Sequence, residues 1–181
     1  MTQTPATPAP APRRAQPSDA ESLAQLGRET FTQTFGHLYP AEDLAAFLAD
    51  AHTPGRYLGW MADSVHAVWV IEHGGALAGY ALTGPCHLPH PEVTAGCGEL
   101  YRLYVRGDAQ GQGLGARLLD VALGGLARPG RRLWLGVWAE NHRAQAIYAS
   151  RGFKKVGAYE FPVGRTRDRE FIFSDQVHAT A

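Results

Sequence analysis

The sequence is poor in cysteine and has no long hydrophobic run, and each shortage argues against a class of protein. Its two cysteines, Cys86 and Cys97, are too few for a disulfide framework, so we expect reduced thiols and a cytoplasmic protein. No stretch approaches the roughly 18 consecutive apolar residues of a transmembrane helix. The first dozen residues lack the basic and apolar regions of a secretory signal, so we expect no such signal.

An excess of charge of one sign is also missing, because 17 basic side chains balance 17 acidic ones. No net positive field attracts nucleic acid or an anionic membrane, so we expect neither as a partner. The length of 181 residues and a hydrophobic content of 45% predict one domain with a sizeable core. Residues 1–12 differ, because this Pro/Ala/Thr tract has no large apolar side chain. We expect a disordered tail there and the folded domain over 13–181.

The hydrophobic pattern predicts an α/β fold. Helices are expected over about 18–35, after Pro40, over 113–127 and over 141–151, and strands over 13–16, 65–72, 76–83, 99–105, 132–138, 153–161 and 167–173. Ser18 and Glu21 have the spacing of a capping box for the first helix. The Thr53-Pro54-Gly55 run is expected to interrupt the second helix. This order of elements predicts a mixed sheet with helices on both faces.

The sharpest motif is a glycine-rich loop between a predicted strand and a predicted helix. Its residues are Gln110, Gly111, Gln112, Gly113, Leu114, Gly115 and Ala116. Glycines let the backbone approach a ligand closely, and a helix N-terminus adds partial positive charge. The loop therefore predicts a site for phosphate or pyrophosphate.

Three other interpretations of this loop compete with that one. A P-loop requires a Lys and a Ser or Thr at its end, where this chain has Ala116 and Arg117. Gly111, Gly113 and Ala116 fit a dinucleotide-binding fingerprint, but residues 106–110 separate the strand from the first glycine, and no repeated βαβ pattern precedes it. A glycine-rich helix start without any ligand is the third interpretation.

Two motifs in order resemble the GNAT superfamily of N-acetyltransferases. The first is Val105-x4-Gln110-x-x-Gly113-x-Gly115, which is similar to the acetyl-CoA pyrophosphate loop of that superfamily. The second, Asn141-x-x-Ala144-x3-Tyr148-x3-Gly152-Phe153, looks like its second diagnostic segment. Three segments look nearest in sequence to the spermidine/spermine-type branch of that superfamily: ELYRLYV, LWLGVWAENHRAQAIYASRGF and FPVGRTRD.

The resemblance implies the GNAT fold, with a mixed, mostly antiparallel sheet, and acetyl-CoA as co-substrate. It implies that the amides of the glycine loop hold the pyrophosphate, and that Leu103 and Val105 offer backbone groups to the pantetheine arm. It places Asn141 at the cofactor arm and Tyr148 near the sulfur. Dimers are common among similar proteins, so a homodimer is a further expectation.

Acetyl transfer to an amine requires a base for the ammonium proton and an acid for the leaving thiolate. Tyr148 is the candidate acid, because its ordinary pKa of about 10 keeps it protonated at neutral pH. The alternative is a core tyrosine on an amphipathic helix. Glu99 is the candidate base, directly or through water, and the alternative is a carboxylate that solvates a strand end. No Ser–His–Asp or Cys–His pattern is evident, so we expect direct transfer without an acyl-enzyme.

We expect no metal. Cysteines and histidines cluster in the loop of residues 84–96, but their spacing matches no common zinc motif.

The expected acceptor is a small-molecule primary amine, with two alternatives: a protein or peptide amine, or a non-catalytic acyl-CoA-binding module. Asp43 and Asp50 are expected to face solvent, which leaves Glu99 as the single acid placed for the amine. One carboxylate favours a small mono-amine over a long polycation.

Overall fold

In the part of the chain that the structure describes, seven strands form one sheet in the order β1-β2-β3-β4-β5-β7-β6. The computed structural model describes residues 10–175, so most of the predicted tail lies outside the described residues. The strands are β1 (Arg13–Arg14), β2 (Ala67–His73), β3 (Ala76–Pro85), β4 (Gly98–Val105), β5 (Leu133–Trp138), β6 (Phe153–Val163) and β7 (Thr166–Asp175). Only β4 and β5 pair in parallel, so the predicted mixed, mostly antiparallel sheet is confirmed.

Five helices accompany the sheet in the described part of the chain. They are α1 (Ala20–Phe35), α2 (Ala41–Ala51), α3 (Pro54–Ala62), α4 (Leu114–Leu126) and α5 (His142–Ala149). None of them is long and apolar enough to cross a membrane. Successive residues of a strand face opposite sides of the sheet. Val70 packs with α1 and α3 on one side, and Ile71 packs with α4 on the other. The prediction of helices on both faces is therefore confirmed.

One predicted feature near the N-terminus is wrong. The expected capping box at Ser18 and Glu21 does not form. A 3-10 turn, Pro17–Asp19, precedes α1, and Asp19 accepts a hydrogen bond from the Gln16 amide at 2.8 Å. The same carboxylate pairs with Arg13, which ties the turn to β1.

The Thr53-Pro54-Gly55 run both ends α2 and starts α3, a helix that the sequence pattern did not predict. The Thr53 hydroxyl accepts a hydrogen bond from the Arg56 amide at 3.2 Å, and Pro54 takes the first helical position. The interruption at this run was predicted correctly, and the helix that follows it was missed.

The feature of the fold that positions the site is the short pairing between β4 and β5. Only three pairs form, from Gly98 with Leu133 to Leu100 with Leu135. Beyond Leu100, β4 continues to pair with β3 but has no strand on its other edge in the described chain. The far halves of β4 and β5 border two adjoining cavities instead.

Candidate active site

The glycine loop adopts a backbone conformation that favours glycine at two of its positions. Gly111 and Gly113 have φ angles of 81° and 77°, in the left-handed region that side chains disfavour. Gly113 is also the N-cap of α4, so the loop amides lead directly into a helix N-terminus. The Gln110 side chain donates a hydrogen bond to the Val105 carbonyl at 3.0 Å, which ties the loop back to β4.

A cavity of about 670 Å³ lies over this loop and is called the cofactor cavity below. Every residue predicted to bind the cofactor lines it except Gln112, which is exposed. The Leu114 side chain is buried in the core, so its contribution to the cavity is mainly backbone. Two arginines that sequence analysis did not select, Arg143 and Arg151, also line the cavity and supply positive charge beside the loop.

The walls of the cofactor cavity come from β4 and α5. Leu103 and Val105 lie on the part of β4 whose second edge has no strand partner in residues 10–175. Asn141 is the N-cap of α5, and its side-chain oxygen accepts a hydrogen bond from the Ala144 amide at 3.1 Å. The side-chain amide nitrogen of Asn141 has no hydrogen-bond partner among the described residues, and Asn141 lines both cavities.

A second cavity, of about 440 Å³, adjoins the first and is called the acceptor cavity below. The two cavities share six lining residues: Phe35, Leu103, Tyr104, Asn141, Ala144 and Tyr148. Aromatic side chains from distant segments form much of the acceptor wall: Phe31, Tyr39, Phe47, Trp60, Trp138, Tyr159 and Phe161. A molecule in either cavity is therefore adjacent to a molecule in the other.

Tyr148 lies at the junction of the two cavities. Its side chain is 8% exposed and packs in the core against Phe153. No described residue forms a hydrogen bond with its hydroxyl group, although the ring is buried. Burial raises the pKa of Tyr148 to about 12, so the hydroxyl keeps its proton at neutral pH. Packing in the core and an available proton at the junction thus occur together.

Glu99 lies in the acceptor cavity, 8% exposed. The His87 amide donates a hydrogen bond to its carboxylate at 2.8 Å, which fixes the side chain to the loop after β3. Burial raises the pKa of Glu99 above its ordinary value, and the nearby Glu170 carboxylate adds to that shift. A raised pKa brings a carboxylate closer to the range of a general base.

Asp168 and Glu170 on β7 also line the acceptor cavity, and sequence analysis did not select either residue. Tyr39 donates a hydrogen bond to Asp168, and Tyr159 donates one to Glu170. Burial raises the pKa of Glu170, and Asp168 raises it further. Neither of these carboxylates nor Glu99 forms an ion pair with any cation in the described chain, so the prediction of a single well-placed acid is wrong.

Asp43 is also not where the helical pattern predicted. Its side chain is 13% exposed and accepts hydrogen bonds from the amide and the guanidinium of Arg165. It joins α2 to the β6–β7 turn and does not face solvent. Asp50 is exposed, as expected, and pairs with Arg56.

The cysteine- and histidine-rich loop contributes to the rim of the acceptor cavity. Tyr101 donates a hydrogen bond to the Pro85 carbonyl and lies 3.1 Å from Nδ1 of His87. Within residues 10–175 no three His, Cys, Asp or Glu side chains are grouped so as to hold a metal ion. Burial raises the pKa of Cys86 to about 12, which keeps its thiol protonated.

Comparison with known proteins matches this arrangement. Residues 22–153 match the acetyltransferase (GNAT) family. An uncharacterised N-acetyltransferase of Lactobacillus delbrueckii is 31% identical over 85% of this chain and 90% of its own length. An uncharacterised N-acetyltransferase of Mycobacterium tuberculosis is 30% identical over 86% of this chain and 96% of its own.

Solved structures share the fold at lower identity. PaiA N-acetyltransferase of Thermoplasma acidophilum, solved in complex with coenzyme A, has a TM-score of 0.71 at 19% identity, over 93% of this chain and 99% of that one. The ribosomal-protein-S18-alanine N-acetyltransferase of Escherichia coli has a TM-score of 0.68 at 20% identity, over 96% and 97%. The chain therefore belongs to the acetyltransferase (GNAT) family and is an acyltransferase with acetyl-CoA as its co-substrate.

Proposed function

We propose that this enzyme acetylates a small-molecule primary amine by direct transfer. The observation that carries the proposal is the acceptor cavity, where three carboxylates lack a cationic partner in the described chain beside a tyrosine hydroxyl that is free to donate. Buried or half-buried carboxylates that lack a cationic partner favour a cationic ligand, because a charge removed from water is costly when it is not paired. An alkylammonium group supplies that charge and is also the protonated form of a primary amine.

Acetyl-CoA supplies the activated acetyl group as a thioester. For its pyrophosphate we propose the amides of Gly111 to Gly115 at the N-terminus of α4, with positive charge from Arg143 and Arg151. For its pantetheine arm we propose the unpaired edge of β4 at Leu103 and Val105, together with the Asn141 amide. The cavity of about 670 Å³ and the left-handed glycines both suit such a ligand.

Two side chains then perform the proton transfers. Glu99, directly or through a water molecule, takes a proton from the ammonium, which frees the nitrogen lone pair to form the new N–C bond. As the C–S bond breaks, Tyr148 donates its proton to the sulfur, and the acetylated nitrogen loses its second proton, which restores the tyrosine hydroxyl. The raised pKa of Glu99 makes its carboxylate a stronger base. Tyr148 is protonated at neutral pH, the state that a proton donor requires.

Direct transfer is favoured because no serine, threonine or cysteine of the described residues lines the acceptor cavity. A reactive cysteine requires a low thiol pKa, and burial raises the pKa of Cys86 to about 12. Cys97 is buried under the same loop and, like Cys86, does not line the cavity.

The size of the acceptor cavity favours a small molecule over a protein. About 440 Å³ lies within the usual range of small-ligand sites, roughly 300–1,000 Å³. A ribosomal-protein acetyltransferase shares the fold at 20% identity, a similarity that bears on architecture alone. The finer resemblance to the spermidine/spermine-type branch stays a prediction that the acceptor panel below tests.

The test is release of free coenzyme A when the enzyme and acetyl-CoA meet a panel of alkylamines, diamines, amino acids and N-terminal peptides. We expect turnover with small amines and little with peptides. Glu99→Gln is expected to lower kcat/KM by about 10²-fold. Glu92→Gln is the matched control, because Glu92 is exposed, pairs with Arg132 and lines neither cavity. Turnover of peptides alone, or an unchanged Glu99→Gln variant, would contradict the proposal.

A further inference from the structure

Arg102 is a positively charged side chain in the wall of the acceptor cavity. It lies on β4, half-buried, with its guanidinium 5.0 Å from the centre of the Trp60 ring. One nitrogen donates a hydrogen bond to the Ala51 carbonyl at 3.2 Å, at the end of α2. No carboxylate in residues 10–175 forms an ion pair with it, although most other arginines near the cavities have one or lie at the surface.

The groups around Arg102 are neutral. His52, 1% exposed, lies 3.3 Å from the guanidinium and also lines the cavity. Its pKa is lowered to about 3, first by burial and then by the positive charges of Arg102 and Arg28, so the imidazole is uncharged at neutral pH. Tyr57, which is fully buried, forms a hydrogen bond with the same histidine nitrogen at 2.9 Å. The Arg102 charge is thus solvated by dipoles and an aromatic face, without an opposite charge.

The strand geometry brings Arg102 into the same cavity as Glu99. In the pairing of β3 with β4, Thr83 faces Leu100 and Leu82 faces Arg102, so Tyr101 is an extra residue in a β-bulge. The bulge re-aims the strand so that Glu99 and Arg102, an odd number of residues apart, both line the acceptor cavity. Three residues of strand separate their backbones by at most about 10 Å.

The acceptor cavity therefore has two ends of opposite charge. One end carries the carboxylates Glu99, Asp168 and Glu170, and the other carries Arg102 beside neutral His52 and Trp60. Beyond the effect of burial, Asp168 raises the pKa of Glu170 and Glu170 raises the pKa of Glu99, so the three carboxylates lie near one another. A ligand that is positive throughout would satisfy only the first end.

We propose that the acceptor is an amino acid in the broad sense, a small amine whose carboxylate pairs with Arg102 while its ammonium lies among the three carboxylates. A guanidinium presents two parallel donors that match a carboxylate, and partial desolvation strengthens the pair. This inference rests on the proposed function, since it names the chemical class of the same acceptor. The strand separation favours a carboxylate several carbon atoms away from the amine over one on the adjacent carbon.

The experiment compares unbranched compounds of two to six carbons in three matched forms: the alkylamine, the ω-amino acid and the α,ω-diamine. For each length, kcat/KM is measured by release of coenzyme A with wild-type enzyme, Arg102→Gln and Arg102→Lys. Arg56→Gln is the control variant, because Arg56 is exposed, pairs with Asp50 and lines neither cavity. Melting temperatures establish that each variant is folded.

At the best chain length we expect the ω-amino acid to exceed its alkylamine by about 10- to 100-fold in kcat/KM, as for a charged hydrogen-bonded pair. Arg102→Gln should bring that ratio close to one while changing the alkylamine rate only a few-fold, and Arg102→Lys should keep part of it. A purely structural Arg102 would instead lower all three series equally, which would overturn the proposal. Diamines preferred at every length would also overturn it.

A binding measurement separates this inference from the proposed function. Pentanoate, a carboxylate without an amine, should bind the coenzyme A-loaded wild-type enzyme by calorimetry and lose at least tenfold in affinity in Arg102→Lys. If no amine is acetylated but pentanoate binds through Arg102, the proposed function fails and the anion site stands. If amines are acetylated and pentanoate binds both proteins equally, the anion site fails alone.

Discussion

The cofactor cavity and the acceptor cavity are built from different kinds of sequence. The cofactor cavity takes most of its lining from two segments, residues 103–116 and 141–151. The acceptor cavity draws on every helix except α4, on strands β3 to β7 and on the loops between these elements. A site formed by residues close together in the chain can be recognised as a sequence motif. A site formed by single residues from distant segments has no such motif.

The two cavities also differ in the groups that they present to a ligand. Backbone amides, an open strand edge and a helix N-terminus dominate the cofactor cavity, so its chemistry depends on glycines and chain geometry. Side-chain charges and aromatic rings dominate the acceptor cavity. We therefore expect substitutions that alter backbone shape to affect the first cavity most, and substitutions that alter charge to affect the second.

The largest effect is expected from Gly113→Val. A side chain at this left-handed residue strains the loop and obstructs the amides proposed to hold the pyrophosphate. Gly115→Val should act through obstruction alone, because its added carbon meets only Val105, at 3.5 Å, with an ordinary φ. We expect both variants to lose measurable acetyl-CoA binding by calorimetry.

Gly74→Val is the matched control for the glycine loop. Gly74 has a φ of 64° in the β2–β3 turn and nothing within 4 Å of an added carbon, so it carries the same backbone strain away from both cavities. It should lower stability and leave acetyl-CoA affinity unchanged. Normal affinity in folded Gly113→Val would remove the loop from the cofactor site.

An intermediate effect is expected from Tyr148→Phe at the junction of the cavities. The substitution keeps the packed ring and removes the proton donor, so kcat should fall by about 10²-fold while acetyl-CoA affinity stays within a few-fold. Tyr104→Phe sharpens the test, because Tyr104 also lines both cavities. A larger loss from Tyr104→Phe would assign the acid to Tyr104, and normal kcat in Tyr148→Phe would make Tyr148 a core residue.

The smallest effect concerns stability and belongs to the acceptor cavity. Burial raises the pKa of Glu170 above its ordinary value of 4.5, so the native state binds this proton more tightly than the unfolded state does. Protonated Glu170 therefore contributes stability that is fully present below pH 4.5. This contribution is lost as pH rises through the raised pKa, because the folded protein must then hold a charged carboxylate. Glu170→Gln should raise the melting temperature at pH 7.5 by about 2–4 °C for each kcal/mol recovered.

The gain from Glu170→Gln should disappear at pH 4, where both proteins are uncharged at this position. Its kcat/KM for amines should fall, because the cavity loses one of the carboxylates proposed to hold the ammonium. Glu160→Gln is the control, since Glu160 is exposed on the neighbouring strand β6. A melting temperature that drops equally at both pH values would show that Glu170 stabilises the fold through its hydrogen bond to Tyr159.

Most of the fold was predictable because its signals are local. The alternation over β4, the glycines before α4 and Gly152 after α5 each act within a few residues. The same locality made Tyr148 and Asn141 identifiable, since their spacing places them on one helix face. The start of α3 was missed because its cap, Thr53, and its first residue, Pro54, also match the pattern of a chain break.

The two acidic residues of β7 form a sequence pattern that indicates a shared strand face. Asp168 and Glu170 alternate with Arg167 and Arg169, so two carboxylates share one face of the strand. The pattern gives the shared face but not its surroundings, and a solvated strand looks the same in the sequence. The prediction that Asp43 faces solvent was wrong for a related reason, because its partner Arg165 is 122 residues away in the sequence.

The sequence by itself determined most of the helices and strands, the glycine-rich loop and the position of Tyr148 on its helix, because capping, periodicity and glycine conformations depend on near neighbours. Tertiary structure decided what faces the acceptor. The pairing of β4 with β5 stops after three residue pairs, and the two cavities lie where it stops. The bulge at Tyr101 brings Arg102 into the acceptor cavity, which also contains Glu99. Charge and burial at such a site are properties of segments that meet only in the folded chain, so no order of residues along the chain specifies them alone.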